Sequence, residues 1–593
     1  MMRIYRNIAF LIVAMTFMSA YVADAMKLNG TRIDKKNNLF GLVKDSRTGK
    51  GIAGVPVTDG YTFTETDRNG VYQFVADEKC RNVYYTLPAE YKTALDPVTK
   101  LPLFYSTTPI DRSRQNRNDF VLEPLDAPEK DFTLVMIGDP QCKTDSDVHR
   151  FETETLPDLN RFMSESQAKG KYLNAYAVTL GDLTFDNTVQ WGPMHKALSG
   201  FALESGDYLP IYNCVGNHDH DAACVDDYTA TQTYVDLFGP TDYSFNRGDV
   251  HFVVMDDVAV TTTNGKTWKY ADNISDRQLE WLKSDLALVK DKEEKMIVFC
   301  AHIQFRHNAD KDNPDKIKNM AAAMDCLTDF HEAHVMIGHT HYAQNFIHHD
   351  YVTKGGTPVY EHIHGAACGA WWSCNLNLAG SPNGYSVYEV SGKTMKNWLA
   401  KGTGESPDLQ MRVYDGNQIY GGAEGHPSGE YEYSWTEGGI GPKGAQAPGF
   451  SGLKGCFVAS IWNSDEDNWK VELFQDGKKV GDFKQVPSEI GDVCAISFFY
   501  NDLGRKTATW SRSTPQYYWY IEAPGGDPTK VQNWEVRATQ TIPDSETWSK
   551  VSEYPSSRNL WRPAFQGWSR KEPSLFYRFP RCRLRISRLP FRP

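Results

Sequence analysis

Five apolar runs between residues 132 and 341 each end in a side chain able to hold a metal ion, and this repeated ending constrains the fold more than any other feature of the chain. The runs are Phe132 to Ile137 before Gly138-Asp139, Ala175 to Leu180 before Gly181-Asp182, Ile211 to Val215 before Gly216-Asn217-His218-Asp219, Met296 to Cys300 before Ala301-His302, and Val335 to Ile337 before Gly338-His339-Thr340-His341. Helix-like stretches alternate with them from about Lys130 to Val390, which predicts an α/β arrangement. If the runs are strands, their polar endings gather at one end of the sheet, and in open α/β sheets the carboxyl edge is where ligands bind. Glycine just before four of the five endings suits a tight exit from the strand and close backbone approach. One helix is legible in detail: Ser275 with Gln278 forms a capping box, and Leu279, Leu282, Leu286 and Val289 then fall on one face. That helix reads as a packing element.

The 593 residues exceed what one core supports, so several domains are expected. Residues 26–128 read as a small antiparallel sandwich, with short strands at Phe40 to Val43, Val55 to Val57 and Val71 to Phe74 separated by turn residues. Residues 129–400 form the α/β region. Residues 401–557 return to strands, with a hairpin expected from Trp469 to Phe474, an Asp476-Gly477 turn, and Lys478 to Phe483. From Arg558 to the end the chain is rich in Arg and Pro and lacks a sustained period, which reads as a disordered tail or a lost reading frame rather than an anionic-surface anchor. Arg3 and Arg6, the apolar run Ile8 to Met18 and Ala23-Asp24-Ala25 have the layout of a cleaved secretory signal over residues 1–25, so a periplasmic or secreted protein without a transmembrane segment is expected. The 11 cysteines show no disulfide-framework or zinc-knuckle spacing, and Cys214 and Cys300 read as buried small hydrophobes.

A formal charge of -12 argues against general binding of nucleic acid, so any affinity for phosphate must be local. Bound metal ions make such a positive site inside an acidic protein. Carboxylate, imidazole and amide together suit Zn, Mn, Fe or similar divalent ions rather than Ca or Mg. Two such ions about 3.5–4 Å apart generate hydroxide, polarise phosphoryl oxygens and stabilise a leaving oxygen, which is hydrolysis of a phosphate ester without a protein nucleophile.

The blocks Gly138-Asp139-Pro140-Gln141, Gly181-Asp182, Gly216-Asn217-His218-Asp219, His302 and Gly338-His339-Thr340-His341 resemble, in order, those of the calcineurin-like metallophosphoesterases. Residues Gly51 to Val55 and Thr66 to Tyr72 resemble a carboxypeptidase-regulatory-type sandwich, and the three-part layout is similar to an exported bacterial subgroup of the phosphoesterases. The resemblance implies a two-sheet α/β/β/α sandwich flanked by two β-sandwich domains. It also implies that Asp182 bridges two divalent ions, with Asp139 and His341 on the first and Asn217, His302 and His339 on the second. Gln141 occupies the position where the family usually has His, and as a neutral, weaker ligand it makes the first site the looser one. The resemblance gives His218 the role of stabilising the phosphoryl group or protonating the leaving oxygen, with Asp186 or Asp219 orienting it.

The expected activity is metal-dependent hydrolysis of a phosphomonoester or phosphodiester, carried by a phosphorylated small molecule or an envelope phosphoester. The alternative is a non-catalytic glycan- or protein-binding module on a degenerate phosphoesterase scaffold, for which Gln141 is the only support. His362 and His364, alternating along a strand-like segment, read as packing or hydrogen-bonding partners rather than ligands, and His195, His251, His348 and His349 have no motif around them. Trp371 and Trp372 are open between walling a substrate cleft and packing in the core.

Overall fold

The computed structural model describes residues 26–263, 268–306, 319–416, 433–436, 439–442, 453–487, 492, 518–542 and 548–552. The expected leader and the Arg/Pro-rich tail lie outside the described residues. Eleven strands in two sheets form the central region: β1 (Asp131–Ile137), β2 (Ala175–Leu180), β3 (Ile211–Cys214), β4 (Tyr243–Arg247), β5 (Val250–Val254), β6 (Met296–Cys300), β7 (Glu332–Ile337), β8 (Gln344–Val352), β9 (Pro358–Ile363), β10 (Gly384–Ser391) and β11 (Thr394–Gly402). One sheet has the order β3-β2-β1-β10-β11 and the other β4-β5-β6-β7-β9-β8. Strands β1, β2 and β3 run parallel, as do β5, β6, β7 and β9, so each sheet has a polar edge where its parallel strands end together.

Side-chain alternation explains why the sheets stack. Phe132, Leu134 and Met136 on β1 share a core with Phe252 and Val298 of the other sheet, and the Phe132 and Phe252 rings lie 6.1 Å apart. The intervening Val135 and Ile137 join a second core with Leu159 and Met163 of the helix Leu156–Gln167 and Trp191 and Met194 of the helix Trp191–Leu198. On the far side, His251 points away from Phe252 and meets Asp285 of the helix Asp276–Leu288 at 2.8 Å, which places that helix over the outer face of the second sheet. The result is helix, sheet, sheet, helix. Ser275 caps the helix as expected, with its Oγ accepting from Gln278 N at 3.3 Å and its own N–H donating to Gln278 Oε1 at 3.0 Å.

The five ligand-bearing runs are strands, but they do not share one sheet. β1, β2 and β3 lie in the first and β6 and β7 in the second. Run length and composition specify a buried strand, while its sheet depends on partners far away in sequence: β10 pairs antiparallel with β1, from Asp131↔Ser391 to Met136↔Ser386.

The N-terminal unit has two small sheets, one built around Leu39–Asp45 and Val71–Phe74 and the other around Pro56–Thr58. Leu39, Val43 and Tyr72 from the first meet Val57 and Tyr85 from the second in one core. This unit docks on β4, with Tyr84 Oη donating to Asp242 O at 2.8 Å and the Phe104 and Tyr243 rings 4.6 Å apart. In the C-terminal unit, Trp469–Gln475 pairs with Lys478–Asp482 through Gln475↔Lys478, and the turn residues Asp476 and Gly477 both have positive φ, at 49° and 75°. Two positive φ values make the two-residue turn that follows strand twist, and Asp-Gly is suited to it. Among the described residues Cys214 and Cys300 are buried and unbridged, and no helix is long and apolar enough to cross a membrane.

Candidate metal centre

Both sheets send their strand ends to one place. Just beyond β1, β2, β3, β6 and β7 the chain delivers Asp139, Asp182, Asn217, His302, His339 and His341, all but His339 essentially buried. Six polar residues here have left-handed backbone: Asp139 (φ 47°), Gln141 (41°), Asp182 (52°), Asp186 (50°), His339 (66°) and His341 (59°). Such conformations are uncommon for residues with a Cβ and persist where surrounding structure enforces them, typically at functional sites. Glycines make the approach possible. A Cβ on Gly216 would lie 2.2 Å from Asp182 N and 2.4 Å from its Oδ1, and one on Gly338 would lie 2.7 Å from Asp139 Oδ2. Gly216→Ala is therefore expected to displace the Asp182 carboxylate and lower metal stoichiometry, measured by elemental analysis of the folded variant; full stoichiometry would show that the loop yields instead.

Two groups of ligand atoms, each within 4.8 Å of one another, share a residue: Asp182 with His302 and His339, and Asp139 with Asp182 and His341. His302 Nε2 lies 3.3 Å from Asp182 Oδ2 and 3.0 Å from Asn217 Oδ1, and 3.2 Å from His339 Nδ1. Its other nitrogen, Nδ1, meets Leu180 O at 2.7 Å, which orients the ring. His341 Nε2 is 3.5 Å from Asp139 Oδ1. Gln141 lies beside the second group, donating from Nε2 to Asp182 Oδ2 at 2.8 Å.

The donors fit divalent cations. Gln141 Oε1 and His341 Nδ1 are buried without a hydrogen-bonding partner, although buried polar atoms are normally satisfied. Burial and the neighbouring Asp182 charge raise the Asp139 carboxyl to about 8 against the pull of His302. Burial lowers the His302 pKa, but Asp182 and Asp139 outweigh it and raise the ring to about 10. Asp182 is held below the ordinary carboxylate range: burial opposes ionisation, and His302, His218 and His339 overcome it. Burial, with the charge of His302, depresses His339 to about 3, and burial depresses His341 to about 4, so both rings are neutral and carry a lone pair. Bound cations would favour the ionised carboxylates and the neutral rings, the forms that act as ligands.

Beside this cluster, His218 N donates to Asp182 Oδ1 at 2.8 Å, and its Nδ1 lies 2.8 Å from Asp186 Oδ1. Phe185 stacks on the imidazole at 4.2 Å and 18°. Burial lowers the His218 pKa, but the Asp186 hydrogen bond and the charges of Asp182 and Asp186 raise it above its ordinary value. Asp219, the other candidate for orienting His218, has a different task. Its carboxylate accepts from Leu183 N, Thr184 N and Gly216 N at 3.1, 2.9 and 3.0 Å, tying the exits of β2 and β3 together. The carboxylate thus engages backbone N–H groups, whereas the Asp186 carboxylate meets the His218 ring.

His362 and His364 stay outside the cluster. His362 Nε2 meets His334 Nδ1 at 2.9 Å, and His364 lies between Ile337 O and Tyr388 Oη at 2.8 and 2.9 Å. Sequence reasoning passed over Asp257, a fully buried carboxylate that accepts from His302 N at 3.1 Å and from Ile303 N at 2.9 Å, fixing the exit of β6. The signal was present: the apolar run of β5 also ends in acids, at Met255-Asp256-Asp257.

Three family models match consecutive stretches of the chain. The N terminal of calcineurin-like phosphoesterase matches residues 37–125, the calcineurin-like phosphoesterase itself residues 132–343, and the C terminal of calcineurin-like phosphoesterase residues 361–543. The chain belongs to the calcineurin-like phosphoesterase family. In this family member the central match contains every candidate ligand, and the C-terminal match begins inside β9, before the strands β10 and β11 that complete the first sheet. No curated protein matches the sequence. Solved structures with partial similarity include a purple acid phosphatase from yellow lupin seeds, with 12% identity over 45% of this chain and 50% of that one at a TM-score of 0.30. Others are the NAD nucleotidase of Haemophilus influenzae, with 11% identity, 47% and 51% coverage and a TM-score of 0.26, and a putative 5′-nucleotidase from Staphylococcus aureus, with 12%, 58%, 74% and 0.26. The chain spans about half the length of the first two.

Proposed function

We propose that this family member is a dinuclear metal-dependent phosphoesterase that hydrolyses a phosphomonoester or phosphodiester outside the cytoplasm. The observation that carries the reading is Asp182, whose carboxylate belongs to both candidate ligand groups. On this reading Asp182 would help to hold both of two ions, Asp139, Gln141 and His341 would hold one with it, and Asn217, His302 and His339 the other. Divalent ions of the Mn, Zn or Fe type would supply Lewis acidity toward phosphoryl oxygens and acidify water. The protein's own residues position the reacting groups. Asp186 holds Nδ1 of His218 and Phe185 fixes the ring plane, which leaves Nε2 to protonate the leaving oxygen or to stabilise the phosphoryl group. Asp219 and Asp257 hold the backbone from which the ligands project. Export rests on the leader-like pattern of residues 1–25, and the domains divide on this reading at 128/129 and 400/401.

The test is hydrolysis of para-nitrophenyl phosphate and its bis ester by metal-stripped protein re-supplied with Mn or Zn. Restored activity supports the reading, and turnover of neither ester together with absent metal binding removes it. Calorimetric titration of the stripped protein is expected to resolve two unequal affinities, with the Gln141 group weaker because a neutral amide stands where an imidazole would bind more strongly. Gln141→His is expected to tighten that weaker site by roughly 10-fold or more; two equal, tight sites in the unaltered protein would contradict the assignment.

A further inference from the structure

Resting on the phosphoesterase reading, we propose that Lys143 is a specificity-determining residue, whose ammonium group selects phosphoesters that carry a second anionic group on their organic part. Lys143 lies just beyond Gln141, on the short loop that joins the exit of β1 to the helix Asp145–Arg150. That loop is clipped to the one leaving β2. Gln141 N donates to Asp182 O at 2.7 Å, Cys142 N to Leu183 O at 3.1 Å, and Asn187 Nδ2 to Lys143 O at 2.9 Å. The β2 loop also carries Phe185 and Asp186, so these hydrogen bonds fix the backbone of Lys143 relative to the ring that stacks on His218. Lys143 Nζ stands over that ring, 4.6 Å from its centroid.

One aromatic ring thus holds an imidazole and an ammonium group. The imidazole lies nearly parallel to Phe185 at 4.2 Å and covers one face, which leaves the other to the ammonium. Cation–π attraction localises the lysine without neutralising it. The acids around it are engaged elsewhere. Asp147 accepts from Lys143 N and Thr144 N at 3.1 and 2.9 Å, Asp145 accepts from Gln190 Nε2 at 3.0 Å, and Asp186 meets His218. Among the described residues no carboxylate lies within ion-pairing distance of Nζ. Lys143 is exposed, and an ammonium group has three N–H donors, so donors remain for a carboxylate or phosphate oxygen, which would accept a charge-assisted bond. With Phe185 between Nζ and His218, the phosphoryl group at the metal centre is not the anion that reaches the lysine. The group that does so belongs to another part of the same molecule.

The test compares 3-phosphoglycerate with glycerol 3-phosphate, and 6-phosphogluconate with sorbitol 6-phosphate. Each pair shares a primary alkyl phosphate and a chain length, and differs by a carboxylate in place of a hydroxymethyl group. The expected kcat/KM is about fivefold higher for the carboxylate in at least one pair, falling as ionic strength rises. Lys143→Ala is expected to bring that ratio toward one, Lys143→Arg to retain it, and Lys143→Glu to invert it; a lysine with a structural role alone would shift both members of a pair alike. Ratios near one in both pairs for the unaltered protein, or a preference that Lys143→Ala leaves unchanged, overturn the proposal. If para-nitrophenyl phosphate and its bis ester are not hydrolysed, the phosphoesterase reading is what fails, and calorimetric binding of 6-phosphogluconate and sorbitol 6-phosphate to the metal-loaded protein decides the role of Lys143 by itself: tighter binding of the carboxylate that Lys143→Ala removes upholds it, and anything else overturns it.

Discussion

Asp182→Ala is expected to remove both metal ions together and reduce metal-dependent ester hydrolysis by on the order of 10³-fold or more. The reason is that one carboxylate serves both ligand groups while also organising the loops around it. Oδ2 lies 3.3 Å from His302 Nε2 and accepts from Gln141 Nε2, and Oδ1 accepts from the backbone of His218. Removing His341 instead takes a donor from one group only. His341→Ala is therefore expected to lose one ion and keep the other, and elemental analysis of the two variants side by side separates shared from single-site ligands. Because Asp182 has φ 52°, alanine adds backbone strain to the loss of a ligand, whereas Asn tolerates this conformation better. Asp182→Asn keeps the shape, removes the charge, and is expected to show the same paired loss of metals. Retention of one ion with near-native turnover in Asp182→Asn would end the shared-ligand reading.

The candidate site was legible in the sequence because its residues occupy local positions: each lies within a few residues of the end of an apolar run, often after a glycine. Gly216 and Gly338 show the physical basis, since a side chain at either would occupy the space of the Asp182 or Asp139 carboxylate. The partition of the strands between two sheets was not legible from the runs, because it depends on pairings such as β1 with β10 that no local pattern encodes; only the family resemblance implied it. The same limit separates Asp186 from Asp219. Both lie close to His218 in space or in sequence, but the three N–H groups that converge on Asp219 come from the exits of two strands and exist only once those strands are paired. Trp371 and Trp372 are identical in type and adjacent in sequence, and both have left-handed backbone, yet Trp372 is buried and Trp371 is 36% exposed, a difference that no local pattern encodes.

His218→Ala is expected to lower kcat by roughly 10²- to 10⁴-fold, the range for loss of a general acid, while both metal ions stay bound. The side chain belongs to neither ligand group, and its bond to Asp182 is through backbone N–H, which alanine retains. The leaving group discriminates between the two roles open to this imidazole. A proton donor matters most when the departing oxygen is basic, so the loss is expected to be severe for an alkyl phosphate and modest for para-nitrophenyl phosphate, whose phenolate departs without help. Stabilisation of the phosphoryl oxygens would instead depress both substrates alike, because those oxygens are common to them. Asp186→Asn is expected to follow the same pattern at smaller amplitude, since an amide can still meet Nδ1 but no longer favours the charged ring at the 2.8 Å contact. Equal losses for both esters in His218→Ala would remove the proton-donor role and leave phosphoryl stabilisation in its place.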